Sequence, residues 1–71
     1  MQYTVIIEKE PNTDWGAYVP DLPGCVTTGT TVEEVENSIG GAIAFHLDGM
    51  REDGLEIPVP SSRVEYVEIV A

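Results

Sequence analysis

Hydrophobic and polar positions change their spacing several times along this chain, and each change marks an element. From Gln2 to Glu10 they alternate imperfectly, with Tyr3, Val5 and Ile7 on one face and Thr4, Ile6 and Glu8 on the other, and the β-branched content predicts a strand. Ile6 between Val5 and Ile7 predicts burial on both faces, and so a central place in the sheet. Pro11-Asn12-Thr13-Asp14 breaks the run, and Trp15-Gly16-Ala17-Tyr18-Val19 resumes it as the second arm of a hairpin. Val26-Thr27-Thr28-Gly29 is a short third strand that completes an antiparallel meander.

Between the second and third strands lies Val19-Pro20-Asp21-Leu22-Pro23-Gly24-Cys25, a rigid corner. Its two prolines fix their own φ and push Val19 and Leu22 toward extended conformations, while Gly24 can take a positive φ. Asp21 is placed to bond forward to the backbone as an Asx-turn.

After the third strand the period switches to that of a helix. Thr31-Val32-Glu33-Glu34 has the form of a capping box, in which the Thr31 hydroxyl accepts from the Glu34 amide and Glu34 reaches back to the Thr31 amide. Stepping 100° per residue from Val32 brings Val35, Ile39, Ala42, Ile43, Leu47 and Met50 into one stripe, and Gly54 after Asp53 sets the end near residue 53. Leu55 to Ser62, with Pro58 and Pro60, reads as an extended return, and Arg63 to Val70 as a last strand. The expected fold is α+β with element order βββαβ. Right-handed crossover places the last strand parallel to the first, giving a four-stranded mixed sheet of order 3-2-1-4 with the helix packed on one face. Val64, Tyr66, Val67 and Ile69 would then form an apolar edge, and such an edge predicts a homodimer.

Composition narrows the class. A chain of 71 residues with 42% hydrophobic content makes a single domain, residues 1–71, near the lower size limit for unassisted folding. A lone cysteine, Cys25, permits no internal disulfide and fits a reducing cytosol; with no leader-like N-terminus and no membrane span, a soluble cytoplasmic protein is expected. Thirteen acidic residues against three basic ones give a net charge of −10, which repels nucleic acid and anionic lipid and favours a basic protein partner.

Tyr3-x-Val5, Tyr18-Val19-Pro20-Asp21-Leu22-Pro23-Gly24-Cys25, Gly29-x-Thr31-x-Glu33-Glu34, Ala42-Ile43, Glu52-Asp53-Gly54 and Ile57-Pro58-x-Pro60 together resemble the HicB family of antitoxins across nearly the whole chain. The resemblance implies a partial ribonuclease-H-like domain that self-associates and neutralises a small basic HicA-like toxin, an mRNA-cleaving enzyme, by covering its RNA-binding and active surface. Many such antitoxins continue into a DNA-binding domain, which is not expected after Ala71. An orphan HicB-like interaction or regulatory module without a toxin is the alternative reading, and a metal-dependent ribonuclease a more remote one.

Individual residues carry these readings unequally. Gly40 and Gly41 cost a helix about 1 kcal/mol each relative to alanine. Gly41 lies opposite the apolar stripe, one turn before a solvent-facing Phe45, and the two suggest a docking notch. Asp48 and Glu52 on the same outer face, with Glu34, can meet a basic partner; as a metal pair they would also need strand carboxylates, where only Glu8 and Glu10 occur. Trp15, Tyr18 and Asp21 near the hairpin and corner are further candidate partner contacts, although Trp15 and Tyr18 serve the core equally well. His46 has no partner at the spacing of a dyad and is read as a core-edge residue, and Cys25 as an inert thiol. No catalytic residue, metal or cofactor is expected.

Overall fold

The computed structural model describes residues 1–9 and 11–70 and has the element order β1 (Ile6–Lys9), β2 (Trp15–Tyr18), β3 (Val26–Gly29) and α1 (Val32–Glu52). The α+β class holds, with β2, β3 and the helix where the sequence pattern predicts them, while β1 begins only at Ile6 rather than near Gln2. The four-stranded sheet does not form: the sheet has three antiparallel strands in the order β1-β2-β3, and residues 55–70 form no strand. β2 is therefore the central strand, and β1 lies at an edge rather than in the middle.

Register fixes which side chains share a face. Ile7, Ala17 and Thr27 form one cross-strand row and Lys9, Trp15 and Gly29 the next, and both rows face α1. Ala17 is buried, Ile7 and Trp15 pack against the core, and the Thr27 and Ser38 hydroxyls meet at 2.9 Å. A Cβ at Gly29 would come within 3.0 Å of the Glu34 Cβ and 3.1 Å of Val35, so glycine lets the end of β3 pass the first helical turn. The opposite rows, Ile6 with Tyr18 and Val26, and Glu8 with Gly16 and Thr28, have no layer over them among the described residues.

Thr31 caps α1 with its hydroxyl, accepting from the Glu34 amide at 3.1 Å. The return half of the box is displaced by one residue: the Glu34 carboxylate accepts from the Thr30 amide at 2.6 Å and the Thr30 hydroxyl at 2.7 Å. The other end closes through Leu55 N to Met50 O, 2.9 Å, and Gly54 N to Arg51 O, 3.1 Å, a pair of bonds that satisfies two terminal carbonyls.

The corner between β2 and β3 belongs to the core. Val19 N donates to Cys25 O at 3.2 Å, Leu22 N to Val19 O and Cys25 N to Leu22 O at 3.0 Å each, and Gly24 turns the chain at φ 86°. These bonds point Val19, Leu22 and Cys25 inward, against Val35, Ile39 and Leu47 of the helix stripe. Ala42, Ile43 and Met50 line the margin of the same core.

Residues 63–70 lie along the surface or away from it. Tyr66 is 94% exposed and Val70 97%, and the radius of gyration of 14.1 Å exceeds the roughly 11 Å of a compact chain this long. β-branched side chains favour an extended backbone but do not choose its neighbour; pairing depends on where the return segment releases the chain.

Leu22, with no exposed surface, is the most enclosed residue of the corner. Leu22→Ala should cost about 2–5 kcal/mol in urea unfolding, a large share of the total for so small a domain. A loss below about 1 kcal/mol would show that the corner is peripheral to stability.

Candidate partner-binding surface

Asp21 sits inside the rigid corner, and its carboxylate is the hub of four hydrogen bonds to residues about 40 positions away. Oδ2 accepts from the backbone amides of Ser61 at 3.0 Å and Ser62 at 3.1 Å, and Oδ1 from their hydroxyls at 3.0 and 2.9 Å. The expected forward Asx bond is thus replaced by a bridge across 40 residues, and the carboxylate is occupied within the molecule. Two bonds beside it complete the attachment: the Tyr3 hydroxyl donates to Pro58 O at 2.5 Å and the Thr4 hydroxyl to Ser62 O at 2.8 Å. The amide of Ser62, then that of Ser61, lowers the Asp21 pKa from 3.8 to about 2, with the two hydroxyls adding to the effect. The Thr30 hydroxyl and amide likewise hold Glu34 below its ordinary range, and burial pushes the Cys25 thiol up, which keeps it protonated.

Gly41, Phe45, Asp48 and Glu52 recur at intervals of four, three and four and share the outer face of α1. Phe45 is 83% exposed. The hollow beside it, about 430 Å³, runs toward Leu22, Pro23, Gly49, Leu55 and Pro58, away from Gly41, whose surroundings are open. Asp48 pairs with Arg51 at 3.1 Å, an exposed bridge worth little to stability. Trp15 packs against the core with the Lys9 ammonium 5.8 Å from its ring centroid, whereas Tyr18 points to the uncovered side of the sheet. His46 is half-buried at the core edge. Val64, Tyr66, Val67 and Ile69 are exposed on an unpaired segment, where Arg63 pairs with Glu65.

All three basic side chains therefore have a local neighbour: Lys9 has Trp15, Arg51 has Asp48 and Arg63 has Glu65. Most carboxylates have none among the described residues, so the surface presents unneutralised negative charge. Among the described residues no three His, Cys, Asp or Glu side chains gather as a metal site; Glu10 lies outside them. No helix of the described residues is long and apolar enough to cross a membrane.

Two features escaped the sequence reading. The Asp21 bridge had a signal in Ser61-Ser62, four donors in a row directly after a proline-stiffened return. The second is a groove of about 280 Å³ on the uncovered side of the sheet, over Gly16 and between Glu8, Asp14, Tyr18 and Val26. Its signal lay in the strand register, which aligns residues that are far apart in sequence.

A family model described as HicB_like antitoxin of bacterial toxin-antitoxin system matches residues 3–69. Among similar proteins, Antitoxin HicB 2 of Photorhabdus laumondii is 38% identical over the whole of this chain and 51% of its own length. A UPF0150 protein of Thermoplasma acidophilum is 38% identical over 82% of this chain and 84% of its own length. An uncharacterized 14.9 kDa protein of Haemophilus phage HP1 is 39% identical over 94% of this chain and 50% of its own. The chain thus spans about half the length of the phage protein and of the Photorhabdus antitoxin.

The depressed Asp21 pKa sets a pH window. Its contribution to stability is complete above the ordinary value of 3.8 and disappears as pH falls toward about 2. Thermal unfolding of the native protein should exceed that of Asp21→Asn by a constant margin from about pH 7 to 5, with the margin closing between about pH 4 and 2. Glu34 titrates in both proteins and cancels. An equal margin at pH 2 would contradict the bridge.

Proposed function

The chain belongs to the HicB-like antitoxin family, and we propose on that premise that it neutralises a HicA-like mRNA-cleaving toxin by covering the toxin's RNA-binding and active surface. The observation that carries this reading is the family match over residues 3–69. A toxin that grips RNA must present positive charge, and this chain's net charge of −10, with its few cations already engaged, supplies the complementary field. Such a field speeds encounter, while apolar contacts set the lifetime of the complex. The mechanism is occlusion: RNA and antitoxin compete for one surface, and no bond is made or broken by this chain.

The same proposal includes self-association. Residues 63–70 display Val64, Tyr66, Val67, Ile69 and Val70 to solvent with an unpaired backbone, a segment that gains most by meeting a second copy. Two copies would hold two toxins in one particle.

A mixture of this protein with the HicA-like protein encoded in the same genome tests both parts. RNA cleavage should stop near equimolar antitoxin, and native mass spectrometry should show two antitoxin chains per complex. Full cleavage in the presence of excess antitoxin would refute the function. A complex with a single antitoxin chain would refute the self-association.

A further inference from the structure

We propose that the groove over Gly16, on the uncovered side of the sheet, seats an arginine side chain of a cationic protein partner; that this partner is the toxin rests on the antitoxin reading. α1 covers only one face of β1-β2-β3, and on the other Ile6, Tyr18 and Val26 stand in one row with Tyr18 40% and Val26 63% exposed. Beside that row the glycine leaves the sheet floor bare, and Glu8 and Asp14 border the opening. Neither carboxylate has an ion-pair partner among the described residues. The nearest cation in sequence, Lys9, projects to the other face over Trp15.

These features select the occupant by charge, size and shape. Two carboxylates repel phosphate and other anions and attract a cation. About 280 Å³ is at the small end of ligand-sized hollows, room for one long side chain. A planar guanidinium can stack on the Tyr18 ring while its fork of donors reaches carboxylates and the Thr28 hydroxyl; a lysine ammonium has neither the plane nor the fork. The adjoining Tyr18–Val26 row offers apolar contact to the backbone that carries the arginine, which makes the occupant part of a protein. An exposed apolar patch rimmed by charge is the form that partner sites take.

Gly16 supplies a clean variant. A Cβ there would meet only Thr27 O, at 3.8 Å, an ordinary contact, so Gly16→Val should fill the groove and leave the β-strand intact. Titration of the labelled protein with N-acetyl-arginine amide, followed by amide NMR, should move Gly16, Tyr18 and Thr28 to saturation, with N-acetyl-lysine amide moving them far less. The shifts should vanish in Gly16→Val and in the Glu8→Gln, Asp14→Asn double variant. Shifts spread equally over Glu33 and Glu36 of the helix, or persisting in both variants, would overturn the proposal. With the toxin, Gly16→Val and Tyr18→Ser should each weaken binding at least tenfold at unchanged circular dichroism. Native affinity in both variants would reject the groove and leave the antitoxin reading standing. Failure of the unmodified protein to bind toxin would reject that reading, and the arginine titration would still decide the groove.

Discussion

One carboxylate fastens the return from α1 to the corner between β2 and β3. Asp21 is held in a corner whose prolines and three internal hydrogen bonds leave it little freedom, and there it accepts four hydrogen bonds from Ser61 and Ser62. An ionised acceptor bound by amides and hydroxyls is a strong partner for an otherwise unpaired stretch of backbone. Without it, the return from α1 would rest on the Tyr3 and Thr4 side-chain bonds and on the stiffness of Pro58 and Pro60. With it, Ile57 packs against the core and the chain is released at Arg63 in a defined place.

That bridge depends on the corner, and the corner on the core. Val19, Leu22 and Cys25 point inward from the same seven residues that present Asp21 outward, so hydrophobic burial against Val35, Ile39 and Leu47 fixes the position of the carboxylate. A domain with one helix and three short strands has few apolar residues to spare. Using a turn as core wall and as polar anchor at once compensates for the small size. It also leaves one side of the sheet without a covering layer among the described residues and the segment beyond Ser62 exposed.

The local elements were legible in the sequence because their causes are local. Thr31 and Glu34 announce the helix start, Gly54 its end, the apolar stripe its buried face, and Pro11 to Asp14 the hairpin. The fourth strand was not legible: Val64 to Val70 has the composition of a strand, but the position of its start is decided by contacts 41 and 58 residues away, at Asp21 and Thr4. The central place expected for β1 failed because it rested on burial of both faces around Ile6, whereas Ile6 shares its row with exposed Tyr18 and Val26 on the uncovered side, and β1 has a strand on one edge only. Among the candidate contacts, Phe45 and Tyr18 emerge on the surface, Trp15 goes to the core margin, and Asp21 proves to be internal structure. The Gly16 groove is a product of pairing register, which no single segment encodes.

Amide hydrogen exchange at Ser61 and Ser62 tests most directly whether Asp21 fastens the return segment. The account predicts that these two amides exchange far more slowly than those of residues 64–70 in the native protein, and that Asp21→Asn brings them to the same fast rate while α1 stays protected. Equal, rapid exchange at Ser61, Ser62 and residues 64–70 in the unmodified protein would contradict it.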